Sequence, residues 1–116
     1  MRLDDVEEAL VVFDLPRNLE ETMIDWLLLR DHDSGFTSFE TRGHSSCHKG
    51  LTPAEQVSGR AKRIQFEVHI PMSEVESLLS EAQTSLPATD VHYRVLPVIR
   101  GGHLATRETL EGWSPA

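Results

Sequence analysis

Three adjoining segments decide the fold: GFTSFETRG at residues 35–43, HSSCHKGLTPAEQVSG at residues 44–59 and RAKRIQFEVHI at residues 60–70. Apolar and polar side chains alternate strictly from Arg63 to Ile70, which predicts a strand with one buried face. Residues 36–43 alternate less regularly and predict a second, half-buried strand. A polar stretch as long as residues 44–59 is uncommon inside a compact domain. These segments therefore predict a strand, a long polar loop and another strand.

The remaining elements are predicted from the spacing of apolar residues. Residues 9–13 form a short, continuous apolar run rich in β-branched side chains, which predicts a central strand buried on both faces. Helical spacing predicts a first helix over residues 19–31 and a second helix that ends at Pro87. Residues 90–100 predict a final strand, in which Pro97 requires an edge position or a bulge because proline cannot donate to a ladder.

Each predicted helix starts at a sequence typical of a capping box, in which two side chains satisfy free N–H groups of the first turn. Asn18 and Glu21 have this spacing at the first helix, and Ser73 and Glu76 have it at the second. We therefore expect side-chain caps at both helix starts.

The predicted order is strand, helix, strand, strand, helix, strand, which is the split βαβ or ferredoxin-like arrangement. We expect an α+β fold with a four-stranded antiparallel sheet and both helices on one of its faces. The single domain spans residues 9–100 and contains the long loop at residues 44–59. Residues 1–8 are expected to form a flexible N-terminus, and residues 101–116 a polar C-terminal tail.

The sheet face away from the helices is predicted to carry both apolar and charged side chains. Glu67 and His69 lie on this face, together with either Arg94 or Tyr93. Such a face is too mixed to bury in a monomer, and an exposed apolar patch is unfavourable in water. We therefore expect another copy of the chain to cover it.

An acidic composition limits the classes of partner. The 116 residues contain 11 Lys and Arg against 19 Asp and Glu, which gives a formal net charge of −8. Such a chain lacks the large basic face that nucleic acid or an anionic lipid surface requires. Its apolar runs are too short for a membrane span, and residues 1–8 are too acidic for a signal peptide. We therefore expect a soluble cytoplasmic protein without direct membrane insertion. The single cysteine, which cannot form an internal disulfide, agrees with a reducing compartment.

The long loop contains a cluster of metal-binding residue types. His44, Cys47 and His48 lie within five residues, and two imidazoles with a thiolate suit a transition metal such as zinc or copper. Three protein ligands leave a fourth position for water or another subunit. The same residues also fit an exposed, mobile loop without a metal site. A third possibility is binding of an anionic small molecule or a partner by basic side chains near the loop, Arg42, Lys49 and Arg60.

Catalytic alternatives have less support in the sequence. An acylphosphatase-like enzyme would bind phosphate with a glycine-rich turn and an arginine after the first strand. Arg17 and Asn18 are present there, but the glycines are not. A nucleophilic Cys47 would need an acid to orient a histidine and a turn to stabilise the oxyanion, and neither is identifiable. We therefore expect no catalytic residues and a protein that is not an enzyme.

Residues 35–43 resemble the strand that leads into the T-loop of the nitrogen-regulatory PII proteins, where the pattern G-x-T-x-x-E-x-[KR]-G is typical. Lys49 and Gly50 resemble the lysine and glycine that follow in those loops. Residues 63–71 resemble the returning strand and its proline. The resemblance covers about residues 9–100. Within the superfamily, residues 43–46, residues 51–57 and the short C-terminal half are more similar to an uncharacterised PII-like group often encoded beside heavy-metal efflux systems.

This resemblance implies a homotrimer of ferredoxin-like subunits whose sheets face a common axis. Ligands would bind in clefts between subunits, and the mobile loop would report occupancy to a target protein. By matching position, the residues along the cleft that holds nucleotide in PII are Thr37, Gly43, Ser45 and Arg63.

Several positions differ from the PII pattern. Ser45 replaces a glycine, which limits close approach of the backbone to a phosphate. Residues 86–90 lack the glycine and lysine that contact phosphate in PII, and they add an acid, Asp90. The loop tyrosine that is modified in some PII proteins has no counterpart. These differences argue against ordinary sensing of ATP or 2-oxoglutarate.

The sequence therefore favours a non-enzymatic PII-like regulator that binds a small ligand or a metal ion at the loop of residues 44–59 and the cleft between subunits. Its partner, as the resemblance implies, would be a heavy-metal efflux transporter. Two alternatives remain open. One is a metal-buffering protein without a partner, and the other is an acylphosphatase-like hydrolase.

Overall fold

The computed structural model describes residues 2, 5–30, 35–44 and 60–107. Four strands and two α-helices lie in this part of the chain: β1 (Glu8–Pro16), α1 (Glu20–Leu29), β2 (Phe36–His44), β3 (Arg60–Pro71), α2 (Val75–Ser85) and β4 (His92–Val98). Short 3₁₀ turns accompany them at Arg17–Leu19, Met72–Glu74, Ala88–Asp90 and Leu104–Thr106. The order of strands and helices is the one predicted from the sequence.

The strands form one sheet in the order β2-β3-β1-β4, and every neighbouring pair is antiparallel. β1 therefore lies between β3 and β4, as its continuous apolar run predicts. Among the described strands β4 pairs with β1 alone, so Pro97 lies on an edge strand as expected. The topology confirms the predicted ferredoxin-like α+β fold.

One face of the sheet and the two helices enclose the core. The helices contribute Met23, Leu27, Val75, Leu78 and Ala82. Alternate residues of β1 and β3 face them and are buried: Ala9, Val11, Phe13, Leu15, Ile64, Phe66, Val68 and Ile70. Phe13 meets Trp26 of α1 edge-on, with 6.2 Å between ring centroids. Because a slip of one residue would turn the polar side of β3 into the core, this alternation specifies the register.

Each α-helix is preceded by a proline and a 3₁₀ turn rather than by a side-chain cap. Pro16 ends β1 and Pro71 ends β3, each with an extended backbone, and a 3₁₀ turn leads from each proline into the α-helix. Neither α-helix has a side-chain hydrogen bond at its N-cap. The predicted capping boxes are therefore wrong, because Asn18 and Ser73 lie inside the 3₁₀ turns. The fixed φ of proline directs the chain into the turn without a side-chain cap.

Element boundaries differ by a few residues from the predicted ones. β4 starts at His92 because the preceding residues form the Ala88–Asp90 turn. At the other end of the chain, β1 extends back to Glu8, and Val6 is buried. No helix in the described ranges is long and apolar enough to cross a membrane.

Candidate functional site

The sheet face opposite the helices carries apolar side chains among charged ones. Its middle row of paired residues is Thr37, Glu67, Val12 and Arg94. Arg94, rather than Tyr93, therefore shares this face with Glu67. We call it the open sheet face, and its apolar members are Leu10, Val12, Phe39, Leu96 and Val98. Phe39 and Leu96 are 45% and 43% exposed to solvent, so a substantial apolar area of this face is accessible.

Arg63 lies at one end of the open sheet face, where β1 ends. Its register partners are Pro16 of β1 and Thr41 of β2. The connection that leads into β4 reaches the same end, since His92 is paired with Asp14. The strands that flank the predicted loop, β2 and β3, also meet there, where His44 is paired with Arg60. This end of the sheet is therefore the place where Arg63, the Ala88–Asp90 turn and the base of the loop come together.

Two aspartates hold the Arg63 guanidinium. On the β1 side, Nε donates to Asp14 Oδ1, and Nη2 donates to the Asp14 carbonyl oxygen at 3.2 Å. On the β4 side, Nη1 donates to Asp90 Oδ2 at 3.1 Å, and Nη2 donates to the Asp90 carbonyl oxygen at 3.0 Å. Gln65 Nε2 also donates to Asp14 Oδ2 at 3.1 Å. Both two-donor edges of the guanidinium are therefore occupied.

The ion pairs outweigh the effect of partial burial on the pKa of Arg63. Burial by itself would lower the pKa of Arg63, but the hydrogen bonds and charges of Asp14 and Asp90 outweigh it and raise the pKa above its ordinary value. The two acids differ in accessibility: the side chain of Asp14 is 20% exposed and that of Asp90 is 53% exposed, against 14% for Arg63. Asp14 is thus the enclosed partner, and Asp90 is the one open to exchange with solvent.

A histidine lies beside the exposed acid. His92 Nε2 is 3.4 Å from Asp90 Oδ1, while Asp90 Oδ2 accepts from Arg63. One carboxylate oxygen of Asp90 therefore accepts a hydrogen bond from the Arg63 guanidinium, and the other lies beside the imidazole of His92. The site as a whole contains two carboxylates for one guanidinium, which makes it less attractive to an anion than a free arginine.

The structure places three of the four predicted cleft residues on β2 and β3. Thr37 is opposite Glu67, whereas Arg63 is opposite Thr41. Glu67 and Arg63 are four positions apart along β3, so Thr37 lies about 13 Å from Arg63 in the strand direction. Gly43, paired with Ala61, lies two positions beyond Arg63. One chain therefore brings Gly43 near Arg63 but leaves Thr37 apart, and Ser45 lies outside the described residues.

The predicted metal set falls mostly outside the described residues. His44 ends β2, while Cys47 and His48 belong to the part of the loop that is not described. Within residues 2, 5–30, 35–44 and 60–107, no group of three or more His, Cys, Asp or Glu side chains is arranged to hold a metal ion. The loop site therefore stays a prediction.

Arg17, which the acylphosphatase alternative would use for phosphate, pairs instead with a carboxylate of β2. Its Nη2 is 2.7 Å from Glu40 Oε1, and both side chains are exposed. Asn18 lies in the adjoining 3₁₀ turn. The pair joins the end of β1 to the edge strand.

Asp14 belongs to the site although the sequence alone does not identify it. Asp14 follows the apolar run of β1 and shares the open sheet face with Arg63 by alternation, which is a weak signal without the strand register. In the sequence, Asp90 is identifiable only as an acid in the connection before the last strand. Its contact with Arg63 depends on the order of the strands.

Comparisons with known proteins agree with this fold. A family model described as a protein of unknown function, DUF3240, matches residues 6–105. No curated protein matches the sequence significantly. Among solved structures, a DUF3240 family protein from Shewanella baltica OS155 is similar with a TM-score of 0.68 and 20% identity, over 84% of this chain and 97% of that one.

Two further structures connect the fold to known groups. PII from Arabidopsis thaliana, solved with bound citrate, is similar with a TM-score of 0.68 and 18% identity, over 95% of this chain and 94% of that one. CutA1 from Pyrococcus horikoshii is similar with a TM-score of 0.63 and 12% identity, over 84% and 89% of the two chains. The PII-like resemblance predicted from the sequence is thereby confirmed at the level of the fold.

Proposed function

The chain belongs to the DUF3240 family, and from this premise we propose that it is a non-enzymatic, PII-like regulatory protein of the cytoplasm. It binds a small ligand or a metal ion at the loop of residues 44–59 and in a cleft between subunits, and it transmits occupancy to a partner protein. The fold shared with PII and CutA1 supports a binding role.

The observation that carries this proposal is the open sheet face. Phe39 and Leu96 are partly exposed there, next to the charged Glu67 and Arg94. A face of this composition is favourable when other copies of the chain cover it, and the PII resemblance implies three copies around an axis. Arg63 lies at the end of this face, so assembly would bring a neighbouring subunit close to the site.

The metal-binding part of the proposal rests on His44, Cys47 and His48. Two imidazoles and a thiolate would suit zinc or copper, with the remaining position open to water or a partner ligand. A metal would change the loop only by binding one loop state more tightly than another. The partner that we propose, a heavy-metal efflux transporter, follows from the resemblance to PII-like proteins encoded beside such systems.

Two measurements test this function. Light scattering on the eluting protein should give the mass of a trimer, and a monomer would remove the cleft between subunits. Calorimetric titration with zinc and with copper should give saturable binding in the wild type and none in a triple alanine variant of His44, Cys47 and His48. Equal affinity in both proteins would remove the loop metal site.

A further inference from the structure

The Arg63 guanidinium has an aspartate of the same chain on each of its two-donor edges. Nε and Nη2 face Asp14, while Nη1 and Nη2 face Asp90. An arginine recognises a phosphate or carboxylate most strongly with two parallel N–H donors on one edge. An incoming oxyanion must therefore displace one aspartate before it can make that contact.

Of the two aspartates, Asp90 is the one that can be displaced. Asp14 is more enclosed, lies within β1 and also accepts from Gln65. Asp90 is more than half exposed and ends a short 3₁₀ turn before the edge strand β4. Release of the Asp90 carboxylate from Nη1 and of the Asp90 carbonyl oxygen from Nη2 would free this edge, while Asp14 still orients the guanidinium from the other side.

We propose that Asp90 is a specificity-determining residue, which occupies the outer edge of Arg63 and excludes phosphate-bearing and other oxyanion ligands from the cleft. This inference rests on the proposed function, because it concerns selection of ligands at the same cleft. The Asp90 carboxylate places a negative charge beside the outer edge of Arg63, so the cleft favours ligands without an exposed phosphate over nucleotides.

The test uses ATP as probe, with citrate as a second probe that carries carboxylates instead of phosphates. Calorimetry at low ionic strength compares the wild-type protein with Asp90→Asn, which keeps the shape of the side chain and removes its charge. We expect Asp90→Asn to bind one of these probes at least about tenfold more tightly than the wild type, because a neutral amide oxygen competes for Arg63 Nη1 less strongly than a carboxylate does. The probe that gains affinity identifies the class of oxyanion.

Four further variants separate exclusion by Asp90 from general effects of charge. Asp25→Asn makes the same chemical change at an exposed residue of α1, on the helix side of the sheet, and should bind like the wild type. The double variant Asp90→Asn with Arg63→Gln should lose the gain, because the freed edge belongs to Arg63. Asp90→Glu should restore exclusion, and Asp90→Ser is the substitute if Asp90→Asn does not fold.

An unchanged affinity for both probes in Asp90→Asn, or a gain that persists without Arg63, would overturn the role of Asp90. Light scattering on the same samples tests the proposed function separately from the role of Asp90. A monomeric wild type would contradict the regulatory trimer, whereas a trimer with unchanged affinity contradicts only exclusion by Asp90.

Discussion

Asp14 and Arg63 are 49 residues apart in sequence, and their ion pair joins the end of the central strand β1 to β3. Both side chains are largely enclosed, and the Asp14 carbonyl oxygen accepts a second hydrogen bond from Arg63 at 3.2 Å. A charged pair in this setting has two effects. It fixes the orientation of the guanidinium, and it makes the loss of either partner costly because the other charge stays partly buried.

We expect Asp14→Ala to lower the free energy of unfolding by about 1.5–3 kcal/mol, the range for a hydrogen bond to a charged group. The cost has two origins: Arg63 loses its enclosed partner, and Gln65 loses its acceptor. Urea denaturation at one fixed protein concentration measures the difference, since an assembling protein has a concentration-dependent stability.

The matched control is the exposed pair between Arg17 and Glu40. Glu40→Ala should change the free energy of unfolding by less than about 1 kcal/mol, because solvent screens an exposed ion pair. Equal losses in the two variants would show that Asp14 acts as an ordinary surface charge.

A second prediction concerns the core. Phe66 is fully buried and lies 5.9 Å from Phe36 between ring centroids. Phe66→Ala should cost about 3–5 kcal/mol of unfolding free energy, because it removes buried apolar area and leaves a cavity under the helices. Thermal or urea unfolding followed by circular dichroism gives the value. Leu29→Ala, at an exposed position of α1, should have almost no effect, and a similar loss there would contradict the assigned core.

A third prediction follows from the helix starts. Asn18→Ala and Ser73→Ala should each change stability by less than about 0.5 kcal/mol, whereas loss of a true N-cap costs about 1 kcal/mol. Neither helix start has a side-chain cap hydrogen bond. Circular dichroism melts of the two variants beside the wild type measure this difference. A stability loss of about 1 kcal/mol in either variant would instead support a capping box at that helix start.

The parts of the fold that could be predicted are those encoded by local periodicity. Alternation in β3 and the apolar run of β1 specify which side chains enter the core, and these side chains determine strand pairing. The capping-box spacing is also a local pattern. It fails here because Pro16 and Pro71 direct the chain into a 3₁₀ turn before each α-helix begins. The contact between Arg63 and Asp90 spans 27 residues, and it depends on the Ala88–Asp90 turn bringing Asp90 beside β3, which no local pattern encodes.

The last prediction tests the open sheet face directly. Leu96→Asp introduces a carboxylate on β4, next to the apolar residues Leu10 and Val98 of the same face. If neighbouring subunits cover this face, the new carboxylate must lose its hydration on assembly and gains no cation in return. The trimer should therefore dissociate to monomers. Light scattering measures the mass, and circular dichroism checks that each subunit stays folded. Leu29→Asp adds the same charge on α1 and should leave the trimer intact. Dissociation by Leu29→Asp but not by Leu96→Asp would place the interface on the helices instead of the sheet.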